Sequence, residues 1–238
     1  MIRVVTRLVP REQHLAYFVG LYHLVSHYEV SVGLLGKVYE SPLVDKLLGL
    51  ISLSAVSFDW DRDSDVKAGE ALAMLMKKSV VMSPAKDCTL FLDDDVVLPQ
   101  KGLDVMLSRM DESTGVIGLT SDWATEVMIY EGYPAFDMTC SLVPASWGVS
   151  DRVYDLLSRL NHGGEFLLLD WYYRKKGGLF NVAKCDALHL YKQDRAKLWG
   201  ERPQQWWKDL SFEVRSAKTF EDVTDVFTKK ELADELTF

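Results

Sequence analysis

Leu90-Phe91-Leu92-Asp93-Asp94-Asp95-Val96-Val97-Leu98 is the stretch on which the reading of this chain turns. An apolar strand delivers three acids in a row at its C-terminal end. In open α/β sheets, ligands bind where the strands end. Three adjacent carboxylates repel one another, so the arrangement is unfavourable unless a cation or solvent neutralises it. In an extended chain Asp93 and Asp95 point to the same side, because side chains alternate with period two. Two oxygen ligands on one side suit a hard divalent ion, Mg²⁺ or Mn²⁺, which in turn binds the phosphates of a nucleotide. The plain alternative is a solvated acidic turn, and the apolar strand immediately before the acids weighs against it.

Outward from that point, the N-terminal half alternates strand and helix. Ile2 to Val9 is β-rich and stops at Pro10. Leu15, Phe18, Val19, Tyr22 and Val25 then make an apolar stripe at helical spacing, so Pro10 to His27 reads as a helix. Glu29–Leu35 reads as a second strand, Leu43–Leu50 as a short helix and Ile51–Phe58 as a third strand. An acidic turn, Asp59 to Asp65, precedes a helix over about Val66 to Val81, with Ser64 or Asp65 as its cap. Strands follow at Thr89–Leu92, Gly115–Thr120, Met138–Val143 and Phe180–Leu190. Helices are expected at Gly102–Met110, around Val153–Leu160 and within Glu165–Lys176, the last stopping at Gly177-Gly178.

This alternation implies an α/β fold, a mostly parallel, Rossmann-like sheet flanked by helices, with the second half more mixed. Residues 1–198 read as that domain. The composition shifts after Trp199, and residues 199–238 read as a C-terminal helical appendage.

Bulk properties narrow the function. The 238 residues are 48% hydrophobic and 26% charged, ordinary globular values that exclude wholesale disorder. A net charge of -8 lacks the basic footprint of a nucleic-acid binder, so no nucleic-acid partner is expected. Cys88, Cys140 and Cys185 are widely spaced and make neither a disulfide framework nor a CxxC clip, which suits reduced thiols in a cytoplasmic protein. No signal peptide or membrane span is visible, and any membrane contact would be peripheral.

Two further features carry chemistry. His189, near the end of the last strand, is by default a hydrogen-bonded structural histidine. Beside a carboxylate metal site its neutral imidazole becomes a third ligand, and an Asp/Asp/His set favours Mn²⁺ over Ca²⁺. Glu165 follows Gly163-Gly164 near a helix start, where it serves either the helix dipole or as a general base. Asp170, five residues on, shares a site with Glu165 only if the helix starts after Glu165. Asp170 and Arg174 also have the spacing of an i,i+4 surface pair. Trp147 and Trp171 are candidates for stacking on a ligand ring and Trp123 for shaping the ligand pocket, with core packing as the plainer role.

A strand ending in Asp-x-Asp (Asp93, Asp95) after a β/α half, then Gly163-Gly164-Glu165 at a helix start, then the late His189, resembles a GT-A glycosyltransferase. The resemblance covers roughly Ile2 to Asp194. It implies a hexosyltransferase-type enzyme taking a nucleotide-sugar donor, a UDP-sugar favoured, with Mn²⁺ or Mg²⁺ as cofactor. The acceptor class stays open among sugar, lipid, protein and small molecule. The resemblance gives Asp95 and His189 to the metal and lets Asp93 face the ribose or reach the metal through water. Asp94 joins Asp93 among the nucleotide contacts. Thr6 and Arg7, at the end of the first strand, would lie by the base, and Lys67 would contact base or phosphate.

The chain also departs from the pattern. Many inverting members carry Glu-Asp where Glu165-Phe166 stands, and Phe166 is no base. Either Glu165 or Asp170 takes that role, or the enzyme retains configuration and needs none. The run Gly164-Glu165-Phe166-Leu167-Leu168-Leu169-Asp170 with Arg174 is also similar to retaining mannosylglycerate-synthase-type members. Two rivals remain. A haloacid-dehalogenase-like phosphatase also has an apolar strand followed by Asp-x-Asp, but near its N-terminus. A nucleotide-sugar-binding module without catalysis would account for the missing Glu-Asp pair.

Overall fold

The computed structural model describes residues 2–8, 19–20, 22–23, 28, 30–34, 68–82, 87–93, 95–120, 129–130, 133–136, 138–160, 164–190 and 204–230. In chain order these form β1 (Ile2–Leu8), β2 (Val30–Leu34), α1 (Ala68–Met82), β3 (Cys88–Leu92), β4 (Val96–Val97) and α2 (Gln100–Arg109). There follow β5 (Thr114–Thr120), the small hairpin β6 (Ile129–Tyr130) and β7 (Tyr133–Pro134), and β8 (Cys140–Pro144). The chain closes with α3 (Asp151–Leu157), α4 (Gly164–Lys175), β9 (Leu179–His189), α5 (Gln204–Ser216) and α6 (Phe220–Lys230). Of the helix expected over Pro10–His27, residues 19–20 and 22–23 are described and helical. The helix at Leu43–Leu50, the strand at Ile51–Phe58 and the acidic turn after it lie outside the described residues.

Seven strands make one sheet in the order β2-β1-β3-β8-β5-β9-β4. The N-terminal side is parallel: β1 pairs with both β2 and β3 in that sense. β8 then runs antiparallel to both β3 and β5, β5 and β9 are parallel, and β4 is antiparallel to β9. β3 is a central strand covered on both faces, which is why Cys88-Thr89-Leu90-Phe91-Leu92 reads as a nearly continuous apolar run.

The two faces are packed differently. On one, Phe91, Phe136, Tyr173, Trp147 and Phe180 form a chain of rings with centroids 5.3 to 5.7 Å apart, most of them edge-on. α4 supplies Tyr173 to this cluster and is buried nearly all round, between the sheet and α3, α1 and α5. On the other face the sulfurs of Cys140, Cys185 and Met106 close over Gly118. A Cβ there would stand 2.6, 2.8 and 3.0 Å from them, so the missing side chain is what lets three large atoms share the space. All three cysteines are free and buried. Burial pushes the Cys88 thiol up to about 11 and the Tyr154 phenol up to about 12, and raises Tyr173 in the same direction.

The C-terminal helices are not a loose tail. Leu210, Val214, Ala217, Val223 and Phe227 are buried and belong to the same core as the sheet. α6 begins at a reciprocal cap: Thr219 Oγ1 accepts from the Asp222 N–H (3.1 Å), and Asp222 Oδ2 accepts from the Thr219 N–H (2.9 Å). That backbone N–H, with help from the Thr219 hydroxyl and the Lys218 N–H, holds the Asp222 carboxyl below its ordinary range. Trp171 Nε1 of α4 donates to Ala217 O (2.9 Å), and Arg152 Nη2 of α3 donates to Glu221 Oε1 (2.6 Å).

Candidate functional site

The acid cluster sits at the C-terminal end of β3, in the middle of the sheet. The chain does not continue extended through it. The Val96 N–H donates to Asp93 O (3.2 Å), closing a turn, and β4 starts at Val96. The alternation argument that put Asp93 and Asp95 on one side of a strand therefore does not describe this loop. Asp93 is half-buried, and its N–H donates to Thr139 O (3.1 Å) just before β8. Asp95 is buried, 1% exposed.

His189 is brought to Asp95 by the ladder that the two-residue β4 makes with β9. Val96 pairs with His189, and the Leu190 N–H donates to Asp95 O (2.9 Å). His189 Nε2 stands 3.3 Å from Asp95 Oδ1. A bulge in β9 sets this meeting. Leu119 pairs with Lys184 but Thr120 with Ala187, so Cys185 and Asp186 are additional. Asp186 takes φ 53°, a left-handed conformation that aspartate tolerates better than most residues. α2 presses on the bulge at Gly102, where a Cβ would lie 2.0 Å from Cys185 O.

The pair fits a divalent cation. Two ligand atoms at about 2.1 Å from one ion and about 90° apart stand ~3 Å from each other, close to the observed 3.3 Å. A carboxylate oxygen with an imidazole nitrogen is a donor set for Mn²⁺ or Mg²⁺ in which nucleotide phosphate and water supply the rest. Among the described residues no three His, Cys, Asp or Glu side chains cluster as a metal site.

At the neighbouring strand end, Thr6 of β1 lies level with Leu92, one residue beyond the Val5–Phe91 pairing. It is fully buried, and its Oγ1 has no hydrogen-bond partner among the described residues. The Arg7 backbone follows it in β1. Lys67 and Asp94 lie outside the described residues, as does Trp123.

The two remaining carboxylates separate. α4 starts at Gly164, so Glu165 is already helical, fully buried in the first turn. At ~100° per residue Asp170 is then ~140° away around the axis, and the two acids do not face one site. Asp170 is committed elsewhere. Its Oδ1 accepts from the Phe136 N–H (2.8 Å) and from Arg174 Nε (3.1 Å); its Oδ2 accepts from Arg174 Nε (3.1 Å) and Arg215 Nε (3.2 Å). Arg174 Nη2 also donates to Pro134 O (2.7 Å). The i,i+4 pair expected on the surface is thus a buried clamp, with Asp170 1% and Arg174 24% exposed. A carboxylate with both oxygens so engaged is placed to hold structure and not to take a proton. Trp147 and Trp171 are core residues, each 5% exposed, with their indole N–H groups on Glu112 O and Ala217 O. The sequence reading missed Arg215, which arrives from the appendage, and the segment around Phe136, for which no local signal exists.

No family model and no curated protein matches this chain. Solved structures do. The structure of GalNAc-T7 with UDP, GalNAc and Mn²⁺ superposes with a TM-score of 0.56 at 11% identity, over 99% of this chain and 57% of that one. The chain therefore spans little more than half the length of that protein. Glucosyl-3-phosphoglycerate synthase from Mycobacterium tuberculosis, in complex with phosphoglyceric acid, gives 0.52 at 12% identity, over 90% and 78%. The same synthase with Mn²⁺, UDP-glucose and phosphoglyceric acid gives 0.50 at 12%, over 96% and 79%. These are nucleotide-sugar glycosyltransferases of the GT-A class. At such identity the likeness establishes architecture: this chain has the GT-A fold, a mixed α/β sheet with helices on its faces. Among the described residues no helix is long and apolar enough to cross a membrane.

Proposed function

We propose that this protein is a metal-dependent glycosyltransferase that moves a sugar from a nucleoside-diphosphate sugar, UDP-linked, to an acceptor hydroxyl. The observation that carries the reading is the Asp95–His189 pair, assembled at the end of the central strand of a GT-A fold. The bound forms of the similar structures, with UDP and Mn²⁺, support the choice of donor and ion. The haloacid-dehalogenase reading has no support in these likenesses.

Asp95 Oδ1 and His189 Nε2 would hold the ion. When bound, a divalent ion stabilises the charge that develops on the leaving diphosphate. Thr6 and Arg7, at the end of β1, take the nucleotide base, with Lys67, Asp93 and Asp94 as the other nucleotide contacts. The sugar passes through an oxocarbenium-like state, as in glycoside hydrolysis. Of the two carboxylates on α4, Glu165 is our assignment for the acceptor hydroxyl, because Asp170 has both oxygens occupied. Inversion needs such a base and retention does not, so an inverted product together with loss of turnover in Glu165→Gln is the outcome expected if Glu165 is used. The reduced, buried cysteines are consistent with a cytoplasmic enzyme.

The deciding experiment is calorimetry with UDP, with and without Mn²⁺, on the wild type and on Asp95→Ala. Binding that needs Mn²⁺ and disappears in a variant with an unchanged melting curve is the expected result. Undiminished Mn²⁺-dependent binding in Asp95→Ala refutes the metal role. A thermal-shift panel of nucleotide sugars with Mn²⁺ then identifies the donor.

A further inference from the structure

The C-terminal helices raise a question that packing alone does not answer. Their apolar residues, Leu210, Val214, Val223 and Phe227, are buried, with α5 packed on α4 and α6 packed on α5. Yet α5 also sends a charged side chain, Arg215, 7% exposed, into the interior to reach Asp170. A buried ion pair gains little net stability over apolar residues of the same volume, because desolvation offsets the attraction. Its contribution here is directional. Arg215 Nε fixes Oδ2 of Asp170, and Oδ1 is thereby aimed at the Phe136 N–H.

What Asp170 holds leads back to the acid loop. Pro134 O is bound by Arg174 and the Phe136 N–H by Asp170, so this segment is pinned at two successive points. The Phe136 ring is locked between Phe91 of β3 (5.3 Å) and Tyr173 of α4 (5.4 Å). Three residues further on, Thr139 O receives the N–H of Asp93. Contacts thus run from Arg215 through Asp170 to Pro134 and Phe136, and from Thr139, three residues along the same chain, to the backbone of Asp93.

We propose that the C-terminal appendage is a working part of the site, with Arg215 as a positioning residue: by orienting Asp170 it sets Pro134 and Phe136, and through the chain that leads on to Thr139 the backbone of Asp93, where the acid loop begins. The affinity part of this inference rests on the reading of that loop as the metal–nucleotide site. The geometric part, coupling of Arg215 to the Asp93 backbone, does not.

The test uses the full chain and three variants. Arg215→Met keeps the length of the stem and leaves Asp170 paired with Arg174. Arg215→Lys keeps the charge without the planar fork. Arg152→Ala is the control: it loosens the appendage at Glu221 and at the Phe220 ring without touching the clamp. Amide hydrogen exchange is read at Phe136 and Asp93, and affinity for UDP with Mn²⁺ by calorimetry. In Arg215→Met both amides should exchange about 10-fold faster and affinity should fall about 10-fold, the scale of ordinary coupling between sites. The amide of Leu142 in β8 should not change. Arg215→Lys should recover part of both effects, and Arg152→Ala should show neither. Exchange at Asp93 that is the same in Arg215→Met as in wild type overturns the proposal, as does an equal effect from Arg152→Ala. If the wild type binds no Mn²⁺–UDP, the functional reading fails on its own, while the exchange arm still decides the coupling. If Arg215→Met does not fold, Arg215→Lys carries the same readouts, and wild-type values in it overturn the proposal.

Discussion

Two buried aspartates, both 1% exposed, do opposite work in this molecule. Asp170 meets two guanidinium groups and a backbone N–H, all fixed donors that never give up their protons near neutrality. Asp95 faces an imidazole, a group that can be neutral and can ligate a metal. The first arrangement is complete as it stands and stores a geometry. The second joins two side chains of the kind that share a cation. Burial alone would have ranked the two equally; the chemistry of the partner separates them.

That contrast can be broken by mutation. The largest effect is expected from Asp170→Ala, which leaves two guanidinium groups facing each other in the interior. Removing one side of a buried pair costs about 3–5 kcal/mol, so chemical denaturation should show a loss of that size. A loss under about 1 kcal/mol would mean that the clamp is not formed in solution. At the other aspartate, His189→Ala should leave the fold intact and weaken Mn²⁺-dependent nucleotide binding about tenfold, or ~1.4 kcal/mol, since water can take over one ligand position. Full metal affinity in that variant would remove His189 from the site.

The smallest effect sharpens the comparison because it comes from groups other than the two aspartates. Burial raises the Cys88 thiol from its ordinary value of 9.0 to about 11, and Tyr154 and Tyr173 move in the same direction. The folded state then holds protons that the unfolded chain releases. Stability from Cys88 is complete below pH 9 and is lost as pH rises toward 11. A melting temperature that stays level between pH 9 and 11 would show that the interior around β3 is wet.

Much of the candidate site was legible because strand ends announce themselves. A run of apolar residues terminated by acids marks the C-terminal edge of a buried strand, and His189 sits at the end of another. Periodicity could not show that the chain turns between Asp93 and Val96, since two valines after an acid look like more strand. Nor could it show direction. The run now seen as β8 reads the same whether parallel or antiparallel, and the structure makes it antiparallel to both neighbours. Asp170 was misleading for a related reason. Spacing identified Arg174 as its partner, but Arg215 and Phe136 come from distant parts of the chain. What a long-range contact does to a carboxylate is invisible to any local pattern.

The bulge in β9 has a consequence for the lineage of this fold. It adds a pair of residues, so Ala183, Cys185, Ala187 and His189 keep the same parity along the strand. An odd insertion or deletion between Lys184 and His189 would flip every later side chain to the opposite side, turning the imidazole away from its acid. Length variation in that stretch should therefore be tolerated only in steps of two.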